Sequence, residues 1–129
     1  MKLGEYLSQN RGAWDWINHD CSRWLDCWLI VNGHASAMDA IGIVYDSEQS
    51  SIRTIVRGGG LLALWARGMD AIGIPPVEVP AQGDAAILDV PTDDGVGQTC
   101  GIWTGQRWAS VHRTGLICGV GQPLAMWRV

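Results

Sequence analysis

The chain has 129 residues, 9 of them basic and 13 acidic, for a net charge of −4. That length supports one domain with a modest core. An acidic balance with scattered arginines argues against a nucleic-acid-binding surface. Eight tryptophans and no phenylalanine leave two readings open. Trp joins a large apolar body to one N–H donor, so the excess marks either a Trp-rich core or surface buried against partner proteins.

In chain order, residues 2–9 predict a short helix, and residues 10–20, with Gly12, Trp14 and Trp16, a loop. From Cys21 onward, Trp24, Leu25, Trp28 and Leu29 fall at i+3, i+4, i+7 and i+8. That spacing is one apolar stripe of a helix with Cys21 at its N-terminal end. The helix should run to about Val31 and stop at Asn32-Gly33, a C-cap pair. Asp46 followed by Gln49 resembles a capping box and predicts a second helix, with Ile52, Ile55 and Val56 as its buried face and Gly58-Gly59-Gly60 as its end. Leu61, Leu62, Leu64 and Trp65 mark a third helix over 61–69. Pro75, Pro76 and Pro80 then impose extended chain. Strands are predicted at 85–90, 98–104, 108–112, 115–119 and 124–129. Gly105-Gln106-Arg107 supplies one turn and Asp93-Asp94-Gly95 a hairpin or loop turn. Helices followed by a strand meander define an α+β domain with helices packed on one antiparallel sheet. A single domain spans 1–129, its helical half about 1–70 and its strand half about 77–129. The hexapeptide Met38-Asp39-Ala40-Ile41-Gly42-Ile43 recurs as Met69-Asp70-Ala71-Ile72-Gly73-Ile74. Two copies are too few for a solenoid, so the repeat reads as coincidence or local mimicry.

The N-terminus, Met1 to Tyr6, lacks the apolar stretch of a secretion signal, so the expectation is synthesis in the cytoplasm. The longest uncharged run, residues 114–127, holds Gly, Gln and Pro and is too short for a membrane span. The cysteines at 21, 27, 100 and 118 form no C-x-x-C pair, which makes a zinc ribbon improbable. His19 and His34 flank the Cys21 helix, but their spacing with Cys21 and Cys27 fits no zinc pattern. Gly58-Gly59-Gly60 lacks the Lys-Ser/Thr of a phosphate loop, and Asp93-Asp94-Gly95 is no calcium loop. No metal and no cofactor are expected. Cys21 draws the most chemistry, because a helix N-terminus favours thiolate over thiol. The alternative for Cys21 is a small buried residue at a helix start.

Several features occur in a particular order: Asp20-Cys21-Ser22 opening a helix, Gly83-Asp84 opening an apolar strand, then Gly101-Ile102-Trp103-Thr104-Gly105 and a following strand ending at His112. This order resembles that of the NlpC-type cell-wall peptidases, small papain-like cysteine hydrolases. Over nearly its whole length the chain also resembles a family of short proteins encoded among bacteriophage tail genes, which are themselves similar to NlpC-type domains. The Tyr45 segment, the Gly-rich break at 58–60 and the closing Ala125-Met126-Trp127-Arg128-Val129 join that match. The resemblance implies a papain-like NlpC-type fold, a place in the virion tail tip or baseplate, hub and other tail-tip proteins as partners, and peptidoglycan as a possible substrate. It also implies Cys21 as nucleophile. The family's catalytic His lies two residues before the Gly of the Gly-Ile strand, and Thr99 occupies that position here, with Cys100 next. His112 lies near the family's third site but is shifted by one residue, and such a shift reverses the face of a strand. His112 therefore either faces Cys21 and acts as its base, or faces away. Two functions follow: a mainly structural tail component with degenerate catalysis, or an active amidase or endopeptidase that opens peptidoglycan during genome entry. A host thiol hydrolase unrelated to phage is a third.

Overall fold

The computed structural model describes residues 1–16, 19–92 and 95–129, with no side chain described at 92, 95 or 96. The expected turn at Asp93-Asp94-Gly95 rests on residues 93 and 94, which lie outside that set. Five helices come first among the described residues: α1 (Leu3–Gln9), α2 (Cys21–Val31), α3 (Ala37–Ala40), α4 (Glu48–Arg57) and α5 (Leu61–Ala71). Five strands follow: β1 (Ala85–Thr92), β2 (Gly95–Trp103), β3 (Trp108–His112), β4 (Gly115–Cys118) and β5 (Gln122–Trp127). The α+β organisation expected from the sequence is the one observed.

The strands form one antiparallel sheet in the order β4-β3-β2-β1-β5. Only β1 to β4 run as a meander. β5 returns to the free side of β1, where Ala85 pairs Trp127 and Ala86 pairs Met126. The proline-rich approach to β1 lies along that same strand, with Val77 donating to the Met126 carbonyl at 2.9 Å and Arg128 donating to that of Pro75 at 2.9 Å.

Strand alternation divides the buried residues into two sets. Ala85, Ile87, Cys100, Ile102, Ala109 and Val111 pack with Trp24, Leu25, Trp28 and Leu29 of α2 and with Trp65 and Met69 of α5. Ala86, Leu88, Val90 and Trp108 form a smaller cluster, joined by Trp103 and Met126. Close approach explains Gly68, within α5: a Cβ there would meet the Ala37 Cβ at 3.1 Å and its carbonyl oxygen at 3.2 Å. Five of the eight tryptophans are buried, and Trp14, Trp16 and Trp103 are half-buried. The Trp excess therefore fills the interior of this fold.

The repeated hexapeptide has a structural meaning. Both copies end a helix. Gly42 donates to Asp39 at 3.1 Å and Ile43 to Met38 at 3.0 Å; Gly73 donates to Asp70 at 3.1 Å and Ile74 to Met69 at 3.0 Å. These paired bonds are the Schellman termination, with glycine in the left-handed region at φ 69° and 76°. Local mimicry is thus the correct reading of the repeat.

Two expectations for α4 need correction. Its cap is Ser47, which accepts from Ser50 N while Ser50 Oγ accepts from Ser47 N, so the capping box is Ser47/Ser50 and not Asp46/Gln49. Nor is its apolar stripe buried: Ile52 is 51% and Val56 71% exposed, and only Ile55 joins the core as a half-buried residue. Amphipathic spacing specifies an apolar side, and the exposure of Ile52 and Val56 shows that this one is not packed into the core.

Candidate thiol site at the start of helix α2

Asp20 is the N-cap of α2, extended at φ −103°, with its Oδ1 accepting from Arg23 N at 2.8 Å. Its Oδ2 accepts from the Tyr45 hydroxyl and from Arg23 Nη1, the latter at 3.2 Å. The Arg23 guanidinium lies 4.3 Å from the centre of the Tyr45 ring and donates to the backbone carbonyls of Trp16 and Tyr45. One carboxylate, itself buried at 1% exposure, thus fixes the first turn of α2 to the segment carrying Tyr45 and to the loop before the helix. In that loop Asp15 and His19 exchange both backbone hydrogen bonds at 2.8 Å. Burial, then the neighbouring Asp20 charge, holds the Tyr45 hydroxyl well above the usual phenol range. Tyr45 is therefore a donor in this network at any ordinary pH.

This arrangement places the Cys21 thiol against β2. The side chain is 7% exposed. The groups of β2 that act on its titration are the Cys100 thiol and backbone N–H and the Thr99 hydroxyl. These groups, the Cys100 thiol foremost, draw its pKa below the ordinary thiol value, against burial and the Asp20 charge, which push it up. Cys100 is fully buried, and its own pKa is pushed well up, first by burial and then by donating to Cys21. The Ser22 hydroxyl lies 3.8 Å from the Cys100 sulfur and accepts from Trp65 Nε1 at 3.3 Å. The resulting cluster is Cys21, Ser22, Cys100, Thr99 and Trp65, drawn from α2, β2 and α5.

His112 stands elsewhere. Along β3, Ala109 and Val111 join the helix-side core, and alternation turns His112 to the other side of the strand. It lines a groove with Trp14, Trp16, Glu48, Ile52, Gln98, Thr99 and Val111. Trp14 and Trp16 meet edge-on there, with ring centres 5.0 Å apart. Burial lowers the His112 pKa, and its Nε2 is buried without a hydrogen-bond partner. The groups that set the direction of the Cys21 pKa are Cys100, Thr99 and Asp20. Thr99 bears on both places, since it acts on the Cys21 titration and lines the groove.

Sequence reasoning missed three parts of this site. Asp20 and Tyr45 were matched as motif residues but not joined to each other. Cys100 was noted only as the neighbour of Thr99. The alternation Cys100, Ile102 against Gly101, Trp103 was the available signal that Cys100 turns toward the helices. Asp84, at the opening of the apolar strand, is buried and accepts from Ala81 N at 2.8 Å and from Arg128 Nε at 2.9 Å. Among the described residues no group of three or more His, Cys, Asp or Glu side chains is placed to hold a metal ion. No helix among them is long and apolar enough to cross a membrane.

The fold and the site together define an α+β domain with a thiol at a helix N-terminus, packed on the central part of an antiparallel sheet. Comparison with protein-family models, with curated proteins and with solved structures found no match.

Proposed function

We propose that this chain is a phage or prophage tail-tip or baseplate component with an NlpC-type, papain-like fold whose catalytic apparatus is degenerate, and that its role is mainly structural. The observation that carries the degenerate reading is the set of neighbours around Cys21. A cysteine hydrolase needs a base that takes the thiol proton and returns it to the leaving amine. Around Cys21 stand a thiol with a raised pKa and a threonine hydroxyl, and neither cycles a proton near neutral pH. Assignment to the tail rests on the ordered motifs beginning at Asp20-Cys21-Ser22 and ending at Trp127-Arg128-Val129. The partners in this reading are hub and other tail-tip proteins. The exposed apolar side chains Val44, Ile52 and Val56 suit burial in such an assembly.

One observation favours the second reading, an active peptidoglycan amidase or endopeptidase. The thiolate of Cys21 is favoured over its ordinary state, which is what a nucleophile requires. Complementation separates the two. In a phage lacking this gene, a Cys21→Ala copy restores infectivity if the role is structural and fails if hydrolysis by Cys21 is required. Mass spectrometry of purified particles tests the location directly, and absence of the chain from them overturns the tail assignment.

A further inference from the structure

Features that packing alone does not require converge on the groove lined by His112. It measures about 540 Å³ and is bounded by Trp14 and Trp16, by Glu48 and Ile52 of α4, and by residues of β2 and β3. β2 and β3 pair at Ile102–Ala109 and Trp103–Trp108, and Gln98 and His112 lie beyond those pairs, where the groove opens. Both indoles are half-buried and Ile52 is 51% exposed, so the walls keep apolar surface in water. The Trp14 Nε1 and His112 Nε2 atoms are buried and, among the described residues, have no hydrogen-bond partner. From this convergence we infer that the groove is a binding site for a neutral saccharide, with one pyranose ring against the Trp14–Trp16 pair and its hydroxyls on the polar side chains at the mouth.

The class of ligand follows from the shape and charge of the walls. Small-ligand sites of about 300–1,000 Å³ join apolar and aromatic walls to a few polar groups that set orientation. Trp14 and Trp16 meet at 72° with ring centres 5.0 Å apart. Rings so crossed form a corner, not the parallel slot that a flat base would fill. A pyranose is puckered, with C–H groups on its faces and hydroxyls around its rim, so it covers indole surface and leaves its hydroxyls free. The charges at the mouth are Glu48 and Arg113, whose side chains lie 3.6 Å apart and are 54% and 84% exposed. One carboxylate and one guanidinium cancel, which leaves no net charge to hold a phosphate or a cation. Burial lowers the His112 pKa, so its ring adds no charge at neutral pH.

The same groups suit vicinal hydroxyls. A carboxylate accepts two hydrogen bonds side by side, and a guanidinium donates two in a fixed fork. Gln98 adds amide donors, its oxygen being engaged by the Leu62 N–H at 3.1 Å. The Trp14 and His112 nitrogens are covered, so a ligand reaches them only when a ring tilts; a hydroxyl that meets them there satisfies a group that had no partner. The inference rests on neither the tail reading nor the chemistry of Cys21, because the groove holds a sugar or fails to hold one whatever the thiol does.

The test uses the full chain, isotopically labelled, with its indole N–H resonances assigned by single tryptophan replacements. Chitotriose, cellotriose and maltotriose are titrated in turn. The expected result is a saturable shift of the Trp14 and Trp16 resonances with at least one of these sugars, while those of Trp103 and Trp108 stay in place. Glu48→Ala, a change at an exposed side chain, should weaken that binding about tenfold by removing hydrogen bonds to a charged group, and Trp16→Ala should abolish it. No saturable shift with any of the three sugars overturns the proposal, as do shifts confined to Trp103 and Trp108, or an affinity unchanged in both variants. A response of Trp14 and Trp16 to trialanine, an extended peptide, with none to the sugars overturns it as well and makes the groove a peptide site. The wild-type titration decides the matter even if Trp16→Ala does not fold.

Discussion

Replacing Asp20 with alanine tests whether one carboxylate organises the start of α2. Three interactions end together. Loss of an N-cap costs about 1 kcal/mol, within a range of about 0.5–2. The Tyr45 hydroxyl, which donates to Oδ2 from a buried ring, is left without an acceptor, at about 1–3 kcal/mol. Arg23 keeps the Trp16 and Tyr45 carbonyls and its side chain is 23% exposed, so its lost ion pair adds less than about 1 kcal/mol. The expected destabilisation is therefore about 3 kcal/mol, read as a lower urea midpoint at unchanged slope. Asp20→Asn keeps one oxygen for the Arg23 N–H and turns an amide nitrogen toward Tyr45, so it should cost about 1–2 kcal/mol by losing the hydroxyl bond. Adding Tyr45→Phe to Asp20→Ala should then cost less than the two separately, because both remove the same bond. A cost below about 1 kcal/mol for Asp20→Ala, or additive behaviour in the double variant, would refute the network as the anchor of the helix.

Further outcomes follow from other residues. Alkylation of Cys21 should begin below the ordinary thiol titration near pH 8.5 and shift to higher pH in Cys100→Ala, since the largest donor to the thiolate is gone; peptide mapping of iodoacetamide adducts separates it from Cys27 and Cys118. His112→Ala should leave that profile unchanged, as no interaction with Cys21 is lost. The same variant should flatten stability on the acid side. Burial lowers the folded pKa of His112, so the unfolded chain binds its proton first. The contribution of neutral His112 is complete above about pH 6.5 and drains as pH falls through that value toward the folded one. Gly68→Ala sets two effects against each other: helix propensity favours alanine by about 1 kcal/mol, and contact with Ala37 at 3.1–3.2 Å opposes it by about 1–3 kcal/mol. A variant with a higher melting temperature would disprove the close α3–α5 approach.

What the sequence disclosed and what it hid divides along a physical line. The α2 stripe was legible because Trp24, Leu25, Trp28 and Leu29 repeat at helical spacing within one local segment. β1 to β5 were legible to within a few residues because Gly and Pro punctuate apolar runs. The four-residue α3 was not, since it is too short to show a period and is held from afar: Asp26 of α2 accepts from Ser36 Oγ at 2.6 Å and from Ala37 N at 2.8 Å. The α4 cap slipped by one residue because Asp46 and Ser47 are both good caps, and only the Ser50 hydroxyl decides between them. Exposure of Ile52 and Val56 was invisible, because periodicity marks an apolar side without saying what covers it. At the thiol, the helix N-terminus was legible and its neighbours were not. Which residue of β2 faces Cys21 depends on register and on the packing of α2 on the sheet, and both are set by contacts distant in sequence.

A motif fixes where a nucleophile stands, and the residues brought to it through space fix what it does. Asp20 and Arg23 place Cys21 at the helix start by local capping, as in any helix that begins with an aspartate. The strand opposite then supplies either a base or donors. A histidine there would accept the thiol proton and hand it on, coupling attack to departure of an amine. Cys100 and Thr99 instead donate to the sulfur and stabilise its charge without carrying a proton across the reaction. Introducing a base separates these effects: Thr99→His puts an imidazole at a position that acts on the Cys21 titration and lines the Trp14–Trp16 groove. If the scaffold is that of a hydrolase with a lost base, this single change should raise hydrolysis of a peptidoglycan-derived amide above that of the wild-type chain, by about 10²-fold or more. A folded Thr99→His chain with no gain would mean that the strand is not the one from which a base can reach Cys21, and the NlpC-type reading of the site would fall with it.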